Sequence, residues 1–303
     1  MSKIFDNVLI VGGGLIGSSI ARALKTYSVC EHVAVADLTK DVCQEIDQLG
    51  FADTATTELA KYAGDADLVM LATPPGVMGE TAKKLIPAMK AGAILSDVGS
   101  LKGDVIKAIT PHLRDDIDFV PGHPIAGTEF NGPSAGFAEL FEDRWVILTP
   151  KDESSEAAIK VQTMWEAFGS DVAMMSSERH DIVLATTSHV PHLIAYTLVG
   201  TAVDMETVTR NEVVKFSAGG FRDFTRIAAS DPTMWRDVFL QNKDSVLEVV
   251  DRFIEDLSAL KRAIRWDDGD TLLENFERTR DIRRRIVDAG QDSSAPNFGR
   301  DDS

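Results

Sequence analysis

The chain has 303 residues, 44% hydrophobic and 26% charged, an ordinary globular composition long enough for roughly two domains of about 150 residues. Acidic residues outnumber basic ones 48 to 31, and the net charge of −17 repels phosphate backbones and anionic bilayers, so no nucleic-acid or membrane partner is expected. Two cysteines make neither a disulfide framework nor a four-ligand metal site, and no basic region precedes an apolar run at the N-terminus; a reducing, cytoplasmic setting is expected. The acidity also poses a constraint: an anionic small ligand would need locally concentrated positive donors.

The first half alternates. Apolar runs at Val8–Val11, His32–Ala36, Leu68–Ala72, Ala93–Ser96, Ile117–Val120 and Trp145–Leu148 are separated by helically spaced segments such as Leu15–Leu24 and Val77–Met89. Continuous apolar runs bounded by Gly, Pro or Asp suit strands buried on both faces, and their alternation with helices predicts a doubly wound parallel sheet. The alternation stops after Thr149-Pro150, and from Ser154 the spacing is almost purely helical. Val246, Val250, Phe253, Leu257, Leu260 and Ile264 form a stripe with steps of four and three, which calls for a partner helix in the same chain or in a second subunit. The predicted layout is a sheet domain over 1–150, a helical domain over 151–290 and a disordered polar tail over 291–303.

The first run leads into Gly12-Gly13-Gly14-Leu15-Ile16-Gly17, a strand, then G-x-G-x-x-G, then a helix. In such a turn the first glycine permits the tight bend, Gly14 admits a pyrophosphate, and Gly17 lets helix and strand pack closely. The helix start at Leu15 and Ile16 offers unpaired N–H groups and a positive dipole end to the phosphates. Asp37 lies 20 residues after Gly17, at the end of the second run, where an acid accepts hydrogen bonds from the adenosine ribose. Its charge would repel a 2′-phosphate, so NAD is favoured over NADP. The turns at Thr73-Pro74 and around Ser100 end later strands, on the edge where doubly wound sheets bind ligands.

His123, in Gly122-His123-Pro124, follows the fifth run on the same edge. There it either accepts a proton from a substrate alcohol or fixes a loop. His189 and His192 flank Pro191 at a spacing that shares a helix face, with no cysteine or carboxylate to complete a metal set, so no metal is expected. Arg222 and Arg226 follow the Gly219-Gly220 pair and would share one face of a helix, suited to a carboxylate or to surface ion pairing.

These segments, taken in order with Gly122-His123-Pro124-Ile125-Ala126-Gly127-Thr128-Glu129, Ser188-His189-Val190-Pro191-His192, Gly219–Arg226 and Ser230-Asp231-Pro232-Thr233-Met234-Trp235, resemble the prephenate/arogenate (cyclohexadienyl) dehydrogenase family of tyrosine biosynthesis. The resemblance runs from residue 8 to about 240. It implies a Rossmann domain followed by an all-α dimerisation domain, and NAD-dependent oxidative decarboxylation of prephenate or arogenate by a homodimer. It also implies His123 as catalytic base, Ser100 near both nicotinamide and hydroxyl, and Arg226 on the substrate carboxylate. Thr128, Glu129, His189, His192, Arg222 and Trp235 would line or gate the substrate site. Two rivals remain at this level. A 3-hydroxyacid or 6-phosphogluconate type dehydrogenase would need a catalytic lysine, for which the only mid-domain candidate is Lys215; a NAD-binding sensor would not catalyse.

Overall fold

The computed structural model describes residues 3–128, 130–204, 219–230 and 232–286. It divides into two compact units, Met1–Val246 and Leu247–Ser303. In the first, strands β1 (Phe5–Val11), β2 (Cys30–Ala36), β3 (Thr54–Thr56), β4 (Leu68–Leu71), β5 (Ile94–Asp97) and β6 (Asp118–Val120) form one sheet in the order 3-2-1-4-5-6. Every pairing is parallel, as the expected doubly wound architecture requires.

The continuous apolar runs have a physical reason. Side chains alternate across a strand, so each central strand feeds two cores. Val8, Ile10, Val33, Val35, Leu68 and Met70 face helices α1 (Leu15–Thr26) and α5 (Glu156–Ala167). Leu9, Val11, Ala34, Val69 and Leu71 face α3 (Pro75–Leu85) and α4 (Gly103–Ile109). Each fully buried Leu, Ile or Val side chain contributes about 1.5–3 kcal/mol, so both layers are held by the strands between them. Helix α2 (Lys40–Leu49) joins β2 to β3.

The sequence reading needs correction at its last strand. Trp145–Leu148 (β8) does not extend the parallel sheet. It pairs antiparallel with β7 (Gly122–Pro124) and parallel with β9 (Asp171–Met174) in a second, three-stranded sheet. The step α5–β9 thus adds a strand beyond Pro150, where spacing alone suggested only helices. Ser155 caps α5 by accepting from the Ala158 amide, and the α5 face of Ala157, Val161, Met164 and Trp165 is buried as its spacing implied.

Beyond β9, Ser176 caps α6 (Ser177–Leu184). A π-helical turn over Ala185–His189 connects it to α7 (Val190–Asp204). Pro191 therefore falls just after a widened turn, where its missing N–H is tolerated without ending the helix. By length and composition Ser177–Asp204 could cross a membrane, yet its first half carries a buried polar network described below. Then come α8 (Gly219–Thr225), a 3₁₀ turn over Arg226–Ala229, and α9 (Pro232–Gln241). The glycine pair lies within the described part of α8 rather than in a turn. The 3₁₀ turn also removes Arg226 from the α-helical face shared with Arg222.

The second unit holds most of α10 (Lys243–Arg265) and all of α11 (Gly269–Ile286). In the single chain the apolar stripe of α10 is largely uncovered: Leu257 is 53% and Ile264 64% exposed, while Val246 is buried.

Candidate functional site

The glycine turn has the shape a dinucleotide needs. Gly12 adopts φ +111°, and a Cβ there would lie 2.4 Å from the Ala72 carbonyl. At Gly17 a Cβ would lie 1.9 Å from the Gly12 carbonyl, so the close crossing of helix over strand excludes any side chain. A Cβ on Gly14 would meet nothing, leaving open space before the first turn of α1, which has neither a side-chain cap nor an acidic residue. Its free amides, those of Leu15 and Ile16 among them, suit a phosphate. The Asp37 carboxylate is held at the end of β2 by the amides of Gly13 (2.9 Å) and Thr39 (2.8 Å). Thr73, beyond β4 and next to exposed Pro74, has a buried hydroxyl without a partner among the described residues. These features fit a nucleotide held mainly by backbone donors.

The loop after β5 carries Ser100, half-buried, and then Lys102, whose side chain is fully buried. The Lys102 ammonium pairs with Asp97, also fully buried, and donates to the Gly122 carbonyl (2.6 Å). Burial pushes Asp97 up and Lys102 down, and each partner's charge opposes the other's shift. This clamp fixes the backbone immediately before His123. His123 itself lies in β7, opposite Ile147, so its backbone is held on a rigid element.

The His123 side chain meets α6. Its Nδ1 is 2.9 Å from His180 Nε2, and His180 Nδ1 is 2.8 Å from Asp181 Oδ1. The Asp181 carboxylate also accepts from the amides of Lys102 (3.0 Å) and Gly103 (2.9 Å). Burial would raise the Asp181 pKa, but the His180 hydrogen bond and these amides hold it below the usual carboxylate value. His123 lies well below the ordinary histidine value through burial first, then through His180, Lys102 and His189.

His189, at the end of the π turn, receives an amide hydrogen bond from Asn242 (3.1 Å), which also donates to the Asp181 carbonyl (2.9 Å). Burial lowers its pKa to about 4. His192 donates to the Ser188 carbonyl (2.8 Å) and stacks on Trp235, with ring centroids 3.7 Å apart. Its pKa is lowered by burial, and nearby Arg226 adds to the shift. Trp235 packs with Leu101, joining the Ser100 loop to α9, and its buried indole N–H has no partner among the described residues. Tyr196 ties α7 to the Arg226 turn through the Ser230 carbonyl (2.7 Å). Arg226 and Arg222 are exposed and make no ion pair among the described residues.

The structure therefore connects His123, the Ser100–Lys102 loop, His189, His192, Trp235 and Arg226. Thr128 is exposed on the following loop, accepting from the Phe130 amide (3.3 Å). Among the described residues, no hydrogen bond or ion pair ties Arg222 to the cluster. Glu129 and Lys215 lie outside the described residues. No group of three candidate metal ligands occurs among the described residues. Sequence reasoning missed His180, Asp181, Asn242 and the Asp97–Lys102 pair. The adjacent His180-Asp181 at the start of a helix was a visible signal, but its 57-residue separation from His123 was not bridged by any local pattern.

Comparison with known proteins agrees in order and extent. Residues 20–174 match the prephenate dehydrogenase nucleotide-binding domain, and residues 176–278 match the prephenate dehydrogenase dimerization domain. The chain is 44% identical to a cyclohexadienyl dehydrogenase of Zymomonas mobilis over 92% of its length and 96% of the relative's. It is 32% identical to a prephenate dehydrogenase of Bacillus subtilis, covering 93% of this chain and 76% of that protein. A crystal structure of prephenate dehydrogenase from A. aeolicus, in complex with hydroxyphenyl propionate and NAD+, superposes with a TM-score of 0.86 at 37% identity, over 94% of this chain and all of that one. With both family models in register and a helical region behind a dinucleotide-binding sheet, the chain belongs to the prephenate dehydrogenase family of oxidoreductases.

Proposed function

We propose that the chain oxidises and decarboxylates prephenate to 4-hydroxyphenylpyruvate and CO2 in tyrosine biosynthesis, with NAD as hydride acceptor, and that arogenate is a second substrate giving tyrosine. The observation that carries this reading is His123, hydrogen-bonded to His180 on the ligand-binding edge of a dinucleotide sheet. The complex of the A. aeolicus relative with NAD+ and hydroxyphenyl propionate supports the choice of ligands.

NAD, when bound, supplies the hydride acceptor. The chain supplies the rest. Gly12, Gly14, Leu15, Ile16 and Gly17 hold the diphosphate, Asp37 the ribose, and Thr73, Pro74 and Ser100 the nicotinamide half. His123 takes the ring-hydroxyl proton as the hydride leaves, a positioned-base contribution of about 10²–10⁴ in rate. The resulting ketone is conjugated to the carbon bearing the ring carboxylate, so loss of CO2 aromatises the ring and drives the reaction forward. The enzyme's task is then orientation, one proton acceptor and a carboxylate anchor. Arg226, exposed and unpaired among the described residues, is assigned to the carboxylate; Ser100 lies beside the hydroxyl. Thr128, Glu129, His189, His192, Arg222 and Trp235 line or gate the site.

The dimerization domain of the family and the uncovered stripe of α10 support a homodimer, and the biosynthetic role suits the cytoplasm. The test is NADH formation with prephenate and with arogenate, each offered NAD and NADP. Turnover of prephenate with NAD is expected. NAD binding without turnover of either substrate would replace the enzyme reading by a sensor.

A further inference from the structure

We propose that His180, clamped by Asp181, is a positioning residue that sets the tautomer of His123 and receives the positive charge created when His123 takes the substrate proton. This rests on the reading of His123 as the proton acceptor.

The argument starts at Asp181. Its Oδ1 accepts from the Lys102 amide and its Oδ2 from the Gly103 amide, so the carboxylate is fixed as an acceptor. His180 Nδ1, 2.8 Å from Oδ1, must therefore donate. A neutral imidazole has one N–H, so His180 Nε2 carries a lone pair. It faces His123 Nδ1 at 2.9 Å, and the proton between the rings belongs to His123. His123 Nε2 is left bare, the state a general base needs. Without the chain of contacts both tautomers of His123 would be populated, and one of them presents an N–H where an acceptor is required.

The same contacts direct the charge. The substrate O–H bond breaks and its proton joins His123 Nε2. The C–H electron pair leaves as hydride to the nicotinamide. The proton on His123 Nδ1 crosses to His180 Nε2, so His180 becomes the imidazolium, hydrogen-bonded to the Asp181 carboxylate. The alcohol has then lost two electrons and two hydrogens, one as hydride and one as a proton held by the histidine pair. After product leaves, the Nε2 proton of His123 passes to water and His180 returns its proton to Nδ1. The groups facing the pair favour this direction. His123 lies half-buried near the Lys102 ammonium, its Asp97 counter-ion and the neutral His189, whereas His180 sits directly on a carboxylate. The lowered pKa of Asp181 agrees with a carboxylate that stays ionised throughout.

Imidazole ¹⁵N spectra of the ligand-free protein test the tautomer without turnover. Expected are a protonated Nδ1 and a bare Nε2 on His123; the opposite assignment overturns the proposal. Two variants then separate positioning from charge transfer. In His180→Gln the side-chain carbonyl still accepts from His123 Nδ1 but takes no proton, and kcat should fall about tenfold with KM unchanged. In His180→Phe both roles are lost, and kcat should fall about 10³-fold, within the whole contribution of a positioned base, with NAD affinity retained. A His180→Phe enzyme with kcat within about threefold of the wild type refutes the proposal. Should the wild type turn over neither cyclohexadienyl substrate, the proposed function fails, and the ¹⁵N assignment still decides the tautomer.

Discussion

Replacing Lys102 with Met is expected to destabilise the first unit by about 3–5 kcal/mol, because it breaks a buried ion pair from one side. Lys102 and Asp97 have fully buried side chains. Without the ammonium, the Asp97 carboxylate keeps only backbone donors, the nearest being the Gly99 amide at 2.7 Å, and the Gly122 carbonyl loses its partner. Such a loss is a large share of a typical stability of about 5–15 kcal/mol. It also carries a pH signature. Burial already raises the Asp97 pKa, and removing the cation raises it further. A carboxyl whose folded pKa exceeds its unfolded value binds a proton in the native state first. The variant therefore gains stability on acidification, by about 1.4 kcal/mol per pH unit, from its folded pKa down to the unfolded value of about 3.9. Urea unfolding at about pH 8 and about pH 5.5, followed through the buried Trp165, should show the gap to the wild type narrowing at the lower pH. Adding Asp97→Asn should recover most of the loss, since the uncompensated charge is then gone. A cost under about 1 kcal/mol, or one that is independent of pH and of Asp97, would refute the argument that this pair is a mutually dependent clamp.

Other expectations follow from the site. His123→Asn should lower kcat by about 10³-fold with little change in KM, measured by steady-state NADH formation; near-normal kcat would remove His123 from catalysis. Arg226→Ala should raise the substrate KM about tenfold to a hundredfold, the loss of a charge-assisted pair worth about 1.5–3 kcal/mol, with kcat less affected; an unchanged KM would place the carboxylate elsewhere. Asp37→Asn should weaken NAD about tenfold and narrow the preference over NADP, read from KM for both nucleotides; equal KM values in wild type and variant would contradict the ribose assignment. His189 should make folding acid-sensitive. Its folded pKa of about 4 lies below the unfolded histidine value of about 6.5, so its contribution is present above about pH 6.5 and fades as pH falls toward 4, by about 3 kcal/mol in all. His189→Gln should flatten that part of the stability profile, and an unchanged slope would count against it.

Much of this was legible in the residues because the signals were local. The runs at Val8, His32, Leu68 and Ala93 announced strands buried on two faces, and the three glycines with Asp37 announced a nucleotide turn; each is a short-range pattern with one physical solution. Trp145–Leu148 was misplaced because an apolar run declares burial but not which sheet receives it, and its partners β7 and β9 are only three and four residues long. Gly219 and Gly220 tend to weaken a helix, yet both lie in the described part of α8. The relay of His180 and Asp181 was hidden for a different reason. Its meaning depends on His123 and on the Lys102 and Gly103 amides, all far away in sequence, and only the packing of α6 against α4 and β7 brings them together.

The net charge of −17 is reconciled with anionic ligands by the way this site divides the work. At the nucleotide end the donors are the free first-turn amides of α1, which carry no formal charge and need no counter-ion. Around His123 the charges are internally matched: Lys102 by Asp97, and Asp181 by backbone amides and His180. That matching leaves neither Asp97 nor Asp181 as an unpaired carboxylate beside His123. It also engages the Lys102 ammonium, so on the proposed reading the attraction for substrate comes from the rim of the cluster. On the proposed reading Arg226, close enough to lower the His192 pKa, supplies it; it makes no ion pair among the described residues. An acidic surface then adds a kinetic cost rather than an energetic one: it slows the approach of an anion, by an amount that salt screens over about 8–10 Å. Added salt should therefore raise kcat/KM through faster association until it begins to screen Arg226 itself.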